Sequence, residues 1–350
     1  MSKEQTAAIV PSIGAPVELR QVPIPTPGAH EILVRNVAIA VNPVDWKLQA
    51  YGLWLKNFPT VLGSDVAGVI ESVGPEVTNF KAGDRVTGYS GVIYTDHLED
   101  GAFQQYTILR DIAAAKLPQD YDFRKAATFP MTLATAAHAL HGKDTLDLPL
   151  DFKAATGEAF LVYGASSAVG NTTIQVARNL GFTVIAVASA SHEAHLKSLG
   201  AAHFLDRNDP AVGEALDKIL STHKLYLAYA IDTITGGDSF DLAAALLSRA
   251  PSVQKVAGGK KKLALVLPLP EGKQVPDNVE VVIISAYSCF NAQPDIGKYI
   301  FNTYLPESLE KGTLVASPPI KIIEGGLAST QQAWDISKKG VSGQKLVIEV

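Results

Sequence analysis

The sequence predicts an α/β chain of two domains, one strand-rich and one built on a doubly wound parallel sheet. Three observations carry this. The apolar run Phe160–Tyr163 ends in a Gly/Ser-rich turn, Gly164 to Gly170, which opens a helical stretch from Asn171 to Leu180. Gly181 stops that helix and a second apolar run spans Thr183–Ala188. Residues 1–125 are strand-like and turn-rich, with no convincing long helix before about residue 120. After the second run, strand-like and helix-like segments alternate, as in a parallel sheet with helices on both faces.

The strand–turn–helix–strand stretch has the size and order of a dinucleotide-binding βαβ unit. Backbone N–H groups of Ser166, Ser167, Ala168 and Val169 would meet a pyrophosphate at the helix N-terminus, where the helix dipole favours negative charge. The fingerprint is not strict: Gly164 and Gly170 frame the loop, and Ser167 and Ala168 fill its middle. An ordinary tight βα turn is the plain alternative.

In the first domain, Glu31–Ala40 and Val66–Val73 read as strands, punctuated by Pro23, Pro25, Pro27, Gly28, Gly74, Pro75, Gly83 and Asp84. Ala126–Leu140 is Ala-rich and helix-prone despite Pro130. Further candidate strands are Leu227–Ile231, Leu263–Leu267 and Val281–Ala286. Candidate helices are Ala194–Leu199, Ala211–Leu220 and Phe240–Leu247. The tail adds helical Ile296–Glu310 and Ser329–Lys338 and a closing strand from Lys345.

Composition narrows the function. The chain has 350 residues, suits two domains, and at 47% hydrophobic can bury substantial cores. A net charge of −5 does not favour a nucleic-acid surface. Lys260–Lys262, beside Gly258 and Gly259, reads as a solvated turn. Cys289 is the single cysteine, which excludes an intrachain disulfide and a Cys-rich zinc site. A polar N-terminus and the lack of a spanning apolar run point to a soluble cytoplasmic protein without membrane contact.

Six segments together resemble the medium-chain dehydrogenase/reductase superfamily: Asn42–Lys47, Leu62–Gly74, Phe80–Val86, Gly101–Tyr106, Ala126–Pro130 with Thr135-Ala136, and Ser342–Val347. Within it, the chain looks like the zinc-free quinone-oxidoreductase and enoyl-reductase branch, and is similar to fungal trans-acting enoyl reductases. The resemblance implies a GroES-like catalytic domain over 1–125, completed by about 300–350, and a Rossmann-like NADPH-binding domain over 126–299.

Zinc-dependent members carry a cysteine where this chain has Asn42 and a His-Glu pair where it has Ser64-Asp65. Asp65 alone is a poor zinc site and suits a structural hydrogen bond. Without zinc to polarise an alcohol, the reaction should use a substrate already polarised by conjugation: an enone, enal, enoyl thioester or quinone. Hydride goes to the β-carbon and a proton to the α-carbon.

The expected cofactor is NADPH. An NAD site places Asp or Glu at the end of its second strand. Here Ser189, Ser191 and His192 stand there, and Arg207 adds charge. Lys197 reads as a solvated helix residue or a further phosphate contact. By resemblance, Val44-Asp45-Trp46-Lys47 lies beside the nicotinamide ribose. Lys47 would hold the ribose and lend positive potential to the oxygen that becomes an enolate, and Thr135 would touch the nicotinamide amide. Leu267, Pro268, Ala286, Tyr287, Val341 and Ser342 are further lining positions.

Tyr51, Tyr94 and Tyr287 are candidate proton donors or pocket walls, and water is an alternative donor. Trp46, Trp54, Phe58, Tyr94 and Phe290 supply apolar surface, which favours a hydrophobic small-molecule substrate. The leading expectation is reduction of the C=C bond of enones or enals. Alternatives are a quinone reductase, a trans-acting enoyl reductase on a carrier-bound polyketide, and a structural NADPH-binding protein without turnover. A monomer is expected, with a homodimer the open alternative.

Overall fold

The computed structural model describes residues 3–251 and 259–350. The chain divides into two compact units, one formed by the residues up to Ala134 with Tyr287–Val350, the other by Thr135–Ala286.

The first unit begins with β1 (Glu4–Val10), β2 (Glu18–Pro23) and β3 (Glu31–Ala40). A helix the sequence reading missed follows, α1 (Pro43–Tyr51). Its signal is local: Asn42 is extended at the N-cap, Pro43 takes the first helical position, and Gly52 ends the helix at φ 62°. Next come β4 (Thr60–Val61), β5 (Asp65–Val73), β6 (Arg85–Tyr89), the short α2 (Val92–Thr95), β7 (Tyr106–Arg110) and β8 (Ala114–Lys116).

The expected single helix over Ala126–Leu140 is two, α3 (Phe123–Ala126) and α4 (Pro130–His141). Pro130 cannot continue a helix, because it lacks an N–H and crowds the preceding turn, so it opens a new one.

The second unit holds β9 (Glu158–Tyr163), α5 (Ala168–Asn179), β10 (Thr183–Ala188), α6 (Glu193–Ser198), β11 (His203–Asp206), α7 (Val212–His223), β12 (Tyr226–Asp232), α8 (Ser239–Arg249), β13 (Lys261–Leu265) and β14 (Val279–Ile283). The strands form one parallel sheet in the order β11-β10-β9-β12-β13-β14. This is the order of a doubly wound dinucleotide-binding fold, with its topological switch between β9 and β12. The central strands are apolar throughout because both faces are covered, and Leu161, Ile185, Ala230, Phe240 and Leu263 meet in one core.

The expected strands Leu263–Leu267 and Val281–Ala286 each begin two residues earlier and end at Leu265 and Ile283. Of Lys260–Lys262, read as a solvated turn, only Lys260 is exposed; Lys261 and Lys262 open β13, and Gly258 lies outside the described residues. Lys261 is 4% exposed. Its ammonium donates to the carbonyls of Leu247, Ser248 and Ala250. A buried cation there satisfies the last orphan carbonyls of α8 at the negative end of the helix dipole. Lys262 donates to the Thr145 carbonyl, 2.8 Å away.

The chain then returns to the first unit with α9 (Pro294–Tyr299), a π-helical turn (Ile300–Tyr304), α10 (Leu305–Glu310), β15 (Ile320–Ile322), α11 (Thr330–Lys339) and β16 (Lys345–Glu349). There one sheet runs β15-β16-β3-β5-β6-β8, with β7 also on β3, and a smaller sheet runs β2-β1-β4. Their shared core includes Ile9, Ile39, Val66, Phe103 and Trp334.

Candidate functional site

In the second unit, the loop after β9 is shaped for close backbone approach. Gly164 has φ 69°, which favours glycine. At Gly170 a Cβ would come 2.6 Å from the Gly164 carbonyl oxygen and 2.7 Å from the Ala165 Cα. The start of α5 therefore packs on the loop only because residue 170 has no side chain. Ser167 is the N-cap of α5, and its Oγ accepts from the Gly170 N–H at 2.9 Å. The same oxygen lies 2.8 Å from Thr233 Oγ1, just beyond β12, so a hydrogen bond spans the switch point. The amides of Ala168 and Val169 lead the helix, where an anion is favoured.

Ser189 follows β10 and Arg207 follows β11. Arg207 Nε donates to Ser189 Oγ at 3.1 Å, and the Arg207 N–H donates to the Ala188 carbonyl at 2.9 Å. Burial pushes the Tyr163 hydroxyl up, partly offset by the Arg207 guanidinium beside it. Three neighbouring strand ends thus gather Tyr163, Ser189 and Arg207. Ser191 and His192 lie on the next short turn, before α6. Lys197 pairs with Glu193 at 2.6 Å on the exposed side of α6, as a solvated helix residue would. Leu267 and Pro268 lie just past the end of β13, and Thr135 is buried within α4. Ala286 opens the turn on which the chain passes from the second unit to the first.

In the first unit, α1 carries Val44, Asp45, Trp46, Lys47 and Tyr51. Lys47 is half-buried, and burial pushes its ammonium below the usual lysine value. Its Nζ lies 5.7 Å from the centre of the Trp46 ring. Val44 packs on the core. Asp45, expected beside the ribose, is fully buried, and its Oδ2 accepts the Asn42 N–H at 2.7 Å. The carboxyl group turns back to cap its own helix.

Tyr51 and Trp54 are exposed. Phe290, expected as a substrate wall, has no exposed surface. It stacks on Tyr89 with ring centres 4.6 Å apart and packs against Phe301. Tyr94 stacks on it at 6.5 Å, and burial pushes the Tyr94 hydroxyl well up. Tyr287 packs on the core half-buried, as does Val341. Ser342 is exposed. A cavity of about 700 Å³ on this unit is lined by His30, Glu76, Arg110, Lys116 and Lys298, and by none of the residues expected at the site.

Around Asn42 and Asp65, the positions the resemblance aligns with zinc ligands, lies a hydrogen-bonded cluster the sequence reading found only in part. Asp65 is fully buried and Lys345 is 4% exposed. Lys345 Nζ donates to Asn42 Oδ1 at 2.6 Å and to Asp65 Oδ2 at 3.1 Å. Asn42 Nδ2 donates to Asp65 Oδ2 at 2.8 Å, and Asp65 Oδ1 accepts the Met131 N–H at 2.6 Å. These oxygens already face an internal cation. Among the described residues, no group of three His, Cys, Asp or Glu side chains gathers to hold a metal. The donor set does not fit zinc. The glycine-framed loop, in contrast, fits a dinucleotide.

The sequence and fold match known proteins over nearly their whole length. Residues 28–119 match the alcohol dehydrogenase GroES-like domain and residues 168–294 the zinc-binding dehydrogenase family. The trans-enoyl reductase himH of Aspergillus japonicus is 34% identical over 320 residues, covering 91% of this chain and 90% of its own. The trans-enoyl reductase tndF of Aspergillus flavipes is 33% identical over 358 residues, covering 99% of each. The crystal structure of CurK enoyl reductase superposes with a TM-score of 0.77 at 20% identity, covering 99% of each chain. The chain belongs to the medium-chain dehydrogenase/reductase family, with a GroES-like β-rich domain and a Rossmann-like parallel sheet, and its homologues are oxidoreductases. Among the described residues, no helix is long and apolar enough to cross a membrane.

Proposed function

We propose that this protein reduces the C=C bond of α,β-unsaturated carbonyl compounds with NADPH and without zinc. The observation that supports the reading is the Asn42–Asp65–Lys345 cluster, whose Asn42 Oδ1 and Asp65 Oδ2 accept from an ammonium ion at the positions the resemblance aligns with zinc ligands. With no metal to polarise an alcohol, the substrate must bring its own polarisation by conjugation. The names of the relatives point the same way.

NADPH, when bound, would supply the hydride. The amides at the start of α5 would hold its pyrophosphate, and Arg207 with Ser189 its 2′-phosphate. Lys47 would sit by the ribose and face the carbonyl oxygen, where negative charge grows as the alkene is reduced. Thr135 would orient the nicotinamide amide. Water or one of the tyrosines would supply the proton to the α-carbon. Hydrophobic substrates suit the exposed Tyr51 and Trp54. The test is NADPH absorbance with a panel of enones, enals, quinones and alcohols. Turnover of enones with alcohols inert is expected; alcohol oxidation with enones untouched would refute it.

A second reading is favoured by the relatives named trans-enoyl reductases: the alkene is an enoyl thioester on a carrier protein. Comparing kcat/KM for a carrier-bound thioester with that of the free one tests it, and equal values count against a carrier.

A further inference from the structure

Sheet register brings Asn42, Asp65 and Lys345 together. In the pairings of β3 with β16 and β5, Ala40 stands opposite both Val347 and Asp65. Two residues past Ala40 the chain reaches Asn42, and two residues before Val347 it reaches Lys345. Asp65, Asn42 and Lys345 therefore lie at one end of three adjacent strands, far apart in sequence.

Two members of the cluster reach a helix, and Lys345 ties them together from β16. Asn42 is the N-cap of α1, with its own N–H held by Asp45. Asp65 accepts the N–H of Met131, the second residue of α4, so a carboxylate sits at the positive end of that helix. Lys345 joins the two by donating to both Asn42 and Asp65. Lys47 and Thr135 lie one to one and a half turns into these helices. A buried ion pair is weak evidence of stability, because apolar residues of the same size would often serve as well. What such a pair does supply is a fixed geometry with all partners defined.

We propose that Lys345, with Asn42 and Asp65, is a positioning device for the reduction: an internal ammonium that fixes the first turns of α1 and α4, and with them Lys47 and Thr135. The inference rests on the functional reading above, which assigns Lys47 and Thr135 to the chemistry. Lys345 is a positioning residue, since it is buried among its partners. Misplacing a reacting group by about 1 Å can cost about a hundredfold in rate.

The test uses the full chain as Lys345→Met, Asp65→Asn, Thr135→Ala, Lys47→Ala and the double variant Lys345→Met/Thr135→Ala. Kinetics are read with NADPH and a medium-chain enone, per folded molecule. Amide hydrogen exchange is followed at the first turns of both helices. Lys345→Met should lower kcat at least about tenfold with KM for the enone changed less than about threefold. It should also speed exchange at Met131 and in the first turn of α1, with the Rossmann-like sheet unaffected. The double variant should be no worse than about threefold below the weaker single, because Lys345 acts through the helix that carries Thr135. If Lys345→Met does not fold, Asp65→Asn, which keeps an acceptor for Met131, carries the same expectations.

Unchanged exchange, or additive losses, or unaltered kcat beside damaging Lys47→Ala and Thr135→Ala, would overturn this inference alone. If those two variants are silent, the functional reading fails, and the claim that the cluster acts through them falls with it.

Discussion

Arg207 Nε donates to Ser189 Oγ at 3.1 Å, tying the ends of two adjacent parallel strands together with a guanidinium at the second strand's end. An NAD-selective site keeps a carboxylate in this region to bind the ribose hydroxyls. Here a cation and a hydroxyl would meet a 2′-phosphate. Arg207→Ala should lower kcat/KM for NADPH by roughly tenfold or more and leave NADH almost unaffected, the scale of a lost charge-assisted hydrogen bond. Ser189→Asp should weaken NADPH use further by repelling the phosphate. Equal loss with both cofactors would place Arg207 outside the phosphate site.

Lys47 is half-buried, with a lowered affinity for its proton. If its ammonium stabilises charge on the substrate oxygen, Lys47→Ala should reduce kcat/KM for an enone by roughly ten- to a thousandfold. Part of that loss would appear as weaker NADPH binding. Unaltered kcat/KM would show that the charge is stabilised elsewhere.

Asp45 carries a stability signature. Burial, with Asp65 close by, pushes its carboxyl from 3.8 up to about 8. Between these values the folded protein keeps a proton that the unfolded chain releases. The unfolded state then binds fewer protons, so stability falls as pH rises from about 4 through about 8. Asp45→Asn removes that slope while keeping an acceptor for the Asn42 N–H. Its Tm should gain on the native protein by several degrees more at pH 8 than at pH 5. The two proteins showing parallel Tm-against-pH curves would contradict this.

Gly170 lets α5 lie on the phosphate loop. The Cβ of Gly170→Ala would fall 2.6 Å from the Gly164 oxygen, a backbone atom that cannot rotate away. The loop and helix must part, at a cost of about 1–3 kcal/mol. A lower Tm together with weaker NADPH binding by calorimetry is expected. Native-like affinity would mean that the loop does not depend on this approach.

The parts legible in the sequence were those with a strong local signal. The Phe160–Gly170 run foretold the strand, loop and helix that frame the candidate dinucleotide site, because buried parallel strands are apolar throughout and the loop needs small residues. The missing carboxylate after Ala188 pointed to the place where Arg207 and Ser189 now meet. β11 went unseen because four residues, His203–Asp206, show neither alternation nor an apolar run. α1 was missed because it has no clear apolar face and rests on its caps. Lys261 misled because a lysine run normally reads as solvated, whereas here α8 offers three carbonyls to one ammonium. Lys345 lies 280 residues from Asp65, and only the register of β16, β3 and β5 brings them together. Asp45, expected at the site by resemblance, and Phe290, expected there as apolar surface, are both fully buried.

The most direct test of the account is turnover by chelator-treated protein, with metal content measured alongside, offered NADPH with a conjugated enone and NADP⁺ with a saturated alcohol. The account predicts undiminished NADPH consumption with the enone, no stoichiometric zinc, and no detectable oxidation of the alcohol. Stoichiometric zinc with chelator-sensitive alcohol oxidation, and no turnover of the enone, would contradict it.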